Sequence, residues 1–377
     1  MAITSRRFTC IVCSLMALPL GRRLQTVQVF RGAAALLVVL FHATSIDKSY
    51  LQHEFLGDIF MFGYGGVDFF FVLSGFVIVL AHGRDVGHAD RLGPYLARRF
   101  VRIYPVYWIV AIMLAPLYVG APHDAAGSVA LLRAILLLNP NDNPIVGVAW
   151  SLTHEVLFYG MFGLAIGLPS RYARPLLTTW LVLSAAWYLA FFLTHGRLVW
   201  PVAGFFFSPY NLEFAMGAAV AAAVRVGSAN RGRALAVAGA VLFLLSGASE
   251  HVLHRHFSQR HSIVCYGFPS MLLVAGAVQW ELSRRTRMPA LLLLLGDASY
   301  SIYLTHYAML DLLARASIRS GLAPLIGATA TTAILVVLAV GLGVAFYERI
   351  ERPVLNALRP RAVISRRAPP ADSSSEP

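Results

Sequence analysis

The sequence predicts an all-α fold, a polytopic membrane helix bundle with about ten transmembrane helices. Of its 377 residues, 58% are hydrophobic and only 13% are charged, which is more apolar surface than a soluble domain of this size can bury. The apolar residues also fall into blocks of roughly 17 to 24, the length that crosses about 30 Å of hydrocarbon in a helix. Composition and block length therefore both indicate a protein whose solvent is the lipid bilayer.

The apolar blocks give the predicted spans in chain order. They cover residues 29–46, 61–81, 103–120, 149–168, 175–194, 205–224, 234–249, 262–282, 290–313 and 324–347. Residues 25–358 are thus expected to form one transmembrane domain. Residues 1–24 are interpreted as a cytoplasmic segment or an over-extended start, and residues 359–377, rich in Pro, Ser and Arg, as a disordered cytoplasmic tail.

The formal charge of +13 would suit a nucleic-acid-binding protein, but the positions of the cations exclude that class. With alternate loops assigned to the cytoplasm, 23 of the 31 lysines and arginines lie on one side, 7 lie on the other, and Arg31 lies inside the first span. This asymmetry follows the positive-inside rule and predicts that both termini are cytoplasmic. We expect the bilayer, and no nucleic acid, as a partner. The three cysteines provide no zinc or disulfide framework, so we expect no metal ion.

Two ionisable residues share one face of the first span. Arg31 and His42 are eleven residues apart, which at 100° per residue brings them within about 20° of the same helix face. Ionisable groups inside spans cost roughly 2.5–3.5 kcal/mol, so each is a functional candidate. The alternative is that Arg31 reaches the lipid headgroups and His42 is a hydrogen-bonded packing residue.

Other polar residues are predicted at the depth of His42, in the outer half of the bilayer. Asp68 enters the second span from outside and is expected to contact His42, unless water at the interface is its partner. Glu155 lies about a turn and a half into the fourth span. Ser301 and Tyr303 lie along the ninth span. This span rises from the cytoplasm and carries His306 to the same outer half.

Arg99 and Arg102 lie one helical turn apart at the cytoplasmic mouth of the third span and could grip a phosphate together. Topological charge alone is the competing explanation. If they bind phosphate, the pattern suits acyl-CoA, whose flexible arm could carry a thioester into the bundle. Tyr303 and Ser301 would help to hold this donor.

His42 could then act as a general base on a sugar hydroxyl, with Asp68 or Glu155 orienting its imidazole and Arg31 stabilising the carbonyl oxygen or holding the donor. A covalent acyl-histidine intermediate is equally compatible with the sequence.

The details QVFRG, WSLTHEVLFY and NLEFAMG look most like the exopolysaccharide-production O-acetylase branch of the integral-membrane acyltransferase family three. Six segments, in order along the chain, resemble that family. They are FRGAAALLVVLFHA, GVDFFFVLSGFVI, RRFVRIYPVYW, WSLTHE, LGDASYSIYLTH and YERIERP. The resemblance implies O-acylation, usually O-acetylation, of bacterial cell-surface or exported carbohydrates, with acetyl-CoA as donor. It implies that Arg31 and His42 are the essential pair, that Arg99 and Arg102 are the paired arginines, and that Glu155 is the acidic residue of the fourth motif. Gln28 departs from the family, where many relatives have Asp.

The partners expected from this resemblance are acyl-CoA, a polysaccharide or lipid-linked acceptor, and the bacterial inner membrane, which the chain crosses several times. A transporter or flippase for a lipid-linked sugar is the alternative, because buried His and acidic residues also serve proton relays. A structural subunit of a polysaccharide export assembly is a third interpretation. Dependence of acyl transfer on His42 separates the first hypothesis from the other two.

Overall fold

The structure is a computed structural model that describes residues 24–118, 125–138, 143–196, 201–224, 228–253, 257, 259–284 and 287–358. Within these ranges the chain is helical and contains no strand, as the sequence predicts. The predictions made for residues 1–23 and 359–377 lie outside the described residues.

The described ranges contain sixteen α-helices. In chain order they are α1 (Gln25–Tyr50), α2 (Gly65–His82), α3 (Leu92–Tyr118), α4 (Ala125–Ile135), α5 (Trp150–Gly167), α6 (Ser170–Leu193), α7 (Pro201–Phe206), α8 (Tyr210–Ala223), α9 (Ala229–Leu253), α10 (Gln259–Ser262), α11 (Phe268–Ser283), α12 (Ala290–Asp297), α13 (Ser299–Arg319), α14 (Leu322–Ile326), α15 (Ala328–Phe346) and α16 (Arg352–Leu358). Two π-helical turns, Ile263–Gly267 and Tyr347–Glu351, precede α11 and α16.

Seven helical segments in the described part of the chain are long and apolar enough to cross a bilayer. They are Gln25–Tyr50, Met61–His82, Ala89–Leu117, Ser170–Leu193, Ala229–Leu253, Ile263–Ser283 and Ala328–Leu358. Large apolar side chains face outward from them: Ile112, Leu193 and Val337 are 73%, 66% and 70% exposed. Outward apolar faces on several long helices make this a membrane protein.

Three of the ten predicted spans do not form helices of this kind. The span predicted at 149–168 is the 18-residue helix α5, whose first turns carry His154 and Glu155. The span predicted at 205–224 is divided, leaving the 14-residue helix α8. The span predicted at 290–313 is broken between the 8-residue α12 and the 21-residue α13. The count of ten is therefore not reached by long apolar helices, because polar residues or breaks interrupt these three.

Helix α1 lies at the centre of the bundle and packs against α2, α11, α12, α13 and α15. At its N-terminal end the crossing with α12 is close, since a Cβ on Gly296 would lie 2.1 Å from the carbonyl oxygen of Gln28. We refer to the two ends of the bundle as the Gln25 end and the Tyr50 end, after the first and last residues of α1.

Helix α2 begins beside the middle of α1. A Cβ on Gly66 would lie 2.6 Å from the carbonyl oxygen of Ala34, and the rings of Phe69 and Phe30 are 5.3 Å apart. Helix α2 therefore runs from mid-depth toward the Gln25 end, antiparallel to α1. On its other side, glycine is required where α2 crosses α8, because a Cβ on Gly75 would lie 1.9 Å from the carbonyl oxygen of Phe214.

Candidate active site

A cavity of about 960 Å³, its mouth included, lies between α1, α2, α3, α5 and α13 at the Gln25 end. Five of the eight predicted site residues line it: Arg31, Arg99, Arg102, Glu155 and Tyr303. The remaining wall is largely apolar and aromatic. The structure thus brings together side chains from four helices that the sequence placed at different depths.

Arg31 contributes a guanidinium group with few polar partners to the cavity wall. Its hydrogen-bond partner is the Gln28 side chain one turn earlier, at 3.4 Å, and it forms no ion pair with a described carboxylate. A guanidinium in this position keeps most of its hydrogen-bonding capacity for a ligand.

Arg99 is positioned by a histidine that the sequence analysis did not single out. Its Nη2 donates to Nε2 of His82 at 3.2 Å, and Nδ1 of His82 donates to the Asp85 carboxylate at 2.8 Å. The guanidinium also lies over the rings of Tyr95 and Tyr159, at 5.8 and 5.5 Å from their centroids. This support fixes the direction of Arg99 while its charge stays in the cavity wall.

Arg102 pairs with Glu351, a buried carboxylate that the sequence analysis missed. Nη1 of Arg102 lies 3.2 Å from Oε1 of Glu351, and the Ser301 hydroxyl donates to Oε2 at 2.6 Å. Ser301 was predicted to hold the donor, but it holds Glu351 and is not part of the described cavity lining. The sequence feature that could have indicated Glu351 is the second glutamate of YERIERP, which ends the π-helical turn Tyr347–Glu351.

Glu155 accepts hydrogen bonds from the Ser74 hydroxyl, at 3.1 Å, and from the Tyr159 hydroxyl. It therefore lies in the cavity with α2 as its neighbour, and it does not orient His42 as the sequence suggested. Its carboxylate lowers the surplus of positive charge in the cavity without removing it: three arginines face Glu155 and Glu351.

His42 is held by a second histidine. Nδ1 of His306 lies 2.7 Å from the carbonyl oxygen of Tyr303, and Nε2 of His306 lies 3.1 Å from Nδ1 of His42. Nδ1 of His42 is also 3.0 Å from the carbonyl oxygen of Val38. Because a carbonyl only accepts, Nδ1 of each ring carries hydrogen, Nε2 of His306 accepts, and Nε2 of His42 keeps a lone pair. The predicted equal depth of the two histidines was the signal for this pair.

Tyr303 connects the histidine pair to the cavity. Its side chain lines the cavity, its carbonyl accepts from His306, and its hydroxyl lies 2.7 Å from Oγ of Ser151. His42 itself is not in the described lining of the cavity, so the layer that contains Tyr303 and His306 separates its imidazole from the arginines.

Asp68 does not make the contact with His42 that the sequence predicted. It is buried, and its carboxyl group lies beside that of Glu213 on α8. The predicted depth was wrong because α2 starts beside the middle of α1, which places Asp68 about two turns below His42 toward the Gln25 end. The structure therefore places Asp68 beside a second buried carboxyl group and outside the described lining of the cavity.

These features define a polytopic membrane protein with a cation-lined internal cavity beside a histidine pair. The sequence matches the family described as an acyltransferase domain over residues 24–348, and the chain belongs to that acyltransferase family. It is 31% identical over 343 residues to the exopolysaccharide production protein ExoZ of Rhizobium meliloti (strain 1021), covering 86% of this chain and 97% of that protein.

A second relative, protein 2 in the picA locus of Rhizobium radiobacter, is 34% identical over 90 residues, which are 24% of this chain and 42% of that protein. No solved structure matches the chain.

Proposed function

We propose that this protein is an O-acetyltransferase of the bacterial inner membrane. It moves an acetyl group from acetyl-CoA, bound from the cytoplasm, to a hydroxyl of an exported polysaccharide or its lipid-linked precursor. The observation that carries the proposal is an arginine-rich cavity at the Gln25 end that ends at Tyr303, next to the His42–His306 pair. The near full-length similarity to an exopolysaccharide production protein supports the class of acceptor.

The cavity has the charge and shape that an acyl-CoA needs. Arg99 and Arg102 are directed into it by His82 and Glu351, and Arg31 adds a charge without an ion-pair partner among the described residues. Phosphates would engage these guanidinium groups, while the pantetheine arm would follow the apolar wall toward Tyr303. Arg31 lies about 16 Å along α1 from His42, so its role in this account is to hold the donor and not the reacting carbonyl.

The chemistry is assigned to Nε2 of His42. This atom takes the proton from the acceptor hydroxyl as the oxygen attacks the thioester carbonyl. The tetrahedral intermediate then collapses to an O-acetyl ester as its C–S bond breaks. Coenzyme A leaves as the thiol, because His42 returns the proton to its sulfur. Tyr303 and Ser151 provide hydroxyl groups in the cavity wall that could donate to the developing oxyanion.

The test is acetyl transfer by purified protein in nanodiscs. Wild type and His42→Ala are given radiolabelled acetyl-CoA with the de-O-acetylated host polysaccharide or its lipid-linked precursor. We expect labelled carbohydrate with wild type and a loss of at least about 100-fold with His42→Ala, the contribution expected of a general base. Equal transfer by a correctly folded His42→Ala variant would contradict the mechanism. Movement of the sugar across the membrane without thioester consumption would support a flippase instead.

The donor site has a separate test. Arg99→Ala combined with Arg102→Ala should raise the KM for acetyl-CoA by about tenfold or more, because each substitution removes a charge-assisted contact with a phosphate of the donor. The control is Arg91→Ala, an exposed arginine outside the described cavity lining, which should leave the donor KM unchanged. An unchanged KM in the double variant would mean that Arg99 and Arg102 contribute only to topology.

A further inference from the structure

A second pocket lies on the other side of Tyr303, toward the Tyr50 end. Its volume is about 630 Å³, its open mouth included. The segment 143–148 before α5 forms one wall, and the end of α3 and the middle of α13 form the other. None of the described residues that line it is charged, in contrast to the arginine-rich cavity.

The wall formed by residues 143–148 is preformed. Oδ1 of Asn143 accepts from the backbone nitrogens of Ile145 and Val146 at 3.1 and 2.9 Å. Nδ2 of Asn143 donates to the hydroxyl of Tyr107 at 2.9 Å, and that hydroxyl donates to the carbonyl of Ala134 at 2.6 Å. A buried asparagine that uses both ends of its amide in this way holds a non-helical segment in one conformation.

Tyr307 lines this pocket and also contacts His42, the proposed general base. The side chain is 39% exposed and lines the pocket. Its ring lies 5.2 Å from the imidazole of His42 in an edge-to-face arrangement. A ligand that stacks on Tyr307 therefore contacts a ring that itself packs against His42.

Only a thin partition separates the pocket from the donor cavity. Val148 belongs to the pocket wall and Tyr303 to the cavity wall, and the Tyr303 hydroxyl lies 3.1 Å from the carbonyl oxygen of Val148. The histidine pair adjoins this partition through the Tyr303 carbonyl. An acyl group that arrives in the cavity is thus one side chain away from a ligand in the pocket.

We propose that this pocket is the acceptor subsite, and that it binds an uncharged pyranose residue whose apolar face stacks on Tyr307. The uncharged side chains among the described lining residues fit a neutral sugar and do not fit the phosphates of coenzyme A. The exposed aromatic ring provides the flat apolar surface that a sugar ring covers with its C–H groups. The neighbouring imidazole is then placed to take a proton from one of the sugar hydroxyls. This inference rests on the proposed acetyltransferase function and names where the acceptor binds.

Two pairs of variants test the subsite. Tyr307→Ala removes the stacking surface, and Tyr307→Phe keeps it. Gly147→Leu fills the pocket, and Gly147→Ala serves as its control, because a Cβ on this exposed glycine would meet only the Tyr307 ring, at 3.9 Å. The probes are acetyl-CoA and a de-O-acetylated oligosaccharide prepared from the host exopolysaccharide.

We expect Tyr307→Ala and Gly147→Leu to raise the acceptor KM by about tenfold and to leave the donor KM within about twofold of wild type. Tyr307→Phe and Gly147→Ala should remain close to wild type in both constants. An acceptor KM that Gly147→Leu leaves unchanged, in a protein that still transfers acetyl groups, would overturn the acceptor subsite. If wild type itself transferred no acetyl group, the proposed function would fail instead, so the two failures are distinguishable.

Discussion

The tautomers of His42 and His306 follow from their hydrogen-bond partners. The carbonyl oxygen of Tyr303 fixes hydrogen on Nδ1 of His306, and the accepting Nε2 of His306 fixes hydrogen on Nδ1 of His42. The lone pair on Nε2 of His42 is the consequence. In a catalytic Ser-His-Asp arrangement a carboxylate performs this positioning, and here a neutral imidazole does so without placing a further charge in the bilayer.

His306 is accordingly a positioning residue, and its removal should affect turnover more than binding. We expect His306→Ala to lower kcat for acetyl transfer by about 10- to 100-fold with little change in the donor KM, because the imidazole of His42 loses its fixed tautomer. His306→Gln can donate to the Tyr303 carbonyl and accept from His42, so it should recover part of the rate. Steady-state kinetics of both variants check this, and equal losses in the two would indicate a packing role.

Glu351 is expected to stabilise the fold through Arg102 and Ser301. Glu351→Ala leaves a buried serine hydroxyl without its acceptor and a half-buried guanidinium without its carboxylate, at a cost of roughly 2–4 kcal/mol. Glu351→Gln keeps both hydrogen-bond positions and should cost less. Thermal unfolding in detergent measures the difference, and equal melting temperatures for Glu351→Ala and wild type would rule out this role.

Spacing along one helix predicted part of the site, and contacts between helices decided the rest. Arg99 and Arg102 could be assigned to one mouth because both lie on α3. The partners of His42 and Asp68 could not be predicted from spacing along one helix, since they depend on where α2 starts relative to α1. Burial of Glu351 was equally invisible, because a carboxylate among arginines after the last apolar block also suits a solvated helix end.

At the scale of helices, two of the three segments that fail as simple apolar spans carry polar side chains of the site. Helix α5 carries Ser151 and Glu155, and α13 carries Tyr303 and His306. Hydropathy predicts apolar spans well because the bilayer penalises polar groups. It is weakest where such groups are held by neighbouring helices and line an internal cavity, which is the situation of these two helices.

The crossing of α2 and α8 should tolerate no side chain at its glycines. Gly75→Ala would place a Cβ 1.9 Å from a backbone carbonyl oxygen, so the helices must separate, and we expect loss of folded protein. Gly160→Ala on α5 is the matched control, because a Cβ there meets nothing within 4 Å. Yield and monodispersity on size exclusion check this; a well-folded Gly75→Ala protein would contradict the close crossing.

For the whole molecule, orientation in the bilayer is the prediction on which the two pockets depend. The arginine distribution predicts that the Gln25 end, and with it the proposed donor cavity, faces the cytoplasm. In a variant without native cysteines, we expect a membrane-impermeant maleimide to label Lys48→Cys in intact spheroplasts and Arg91→Cys only after lysis. The Lys48 and Arg91 side chains are 59% and 62% exposed, so labelling of each position depends on which side of the membrane it faces. The reverse labelling pattern would invert the proposed topology.

With that orientation, the donor cavity, the Tyr303 partition and the second pocket lie in order across the bundle. An acetyl group would then pass through one chain from cytoplasmic acetyl-CoA to an acceptor on the other side of the membrane. The histidine pair adjoins the partition, so neither substrate needs to cross the bilayer itself.

The most direct test of this account is acetyl transfer across the membrane of proteoliposomes. Radiolabelled acetyl-CoA is added outside, the de-O-acetylated oligosaccharide is enclosed inside, and wild type is compared with His42→Ala. The account predicts labelled oligosaccharide in the lumen with wild type and none with His42→Ala. Transfer that occurs only when donor and acceptor are on the same side, or that persists in His42→Ala, would contradict it.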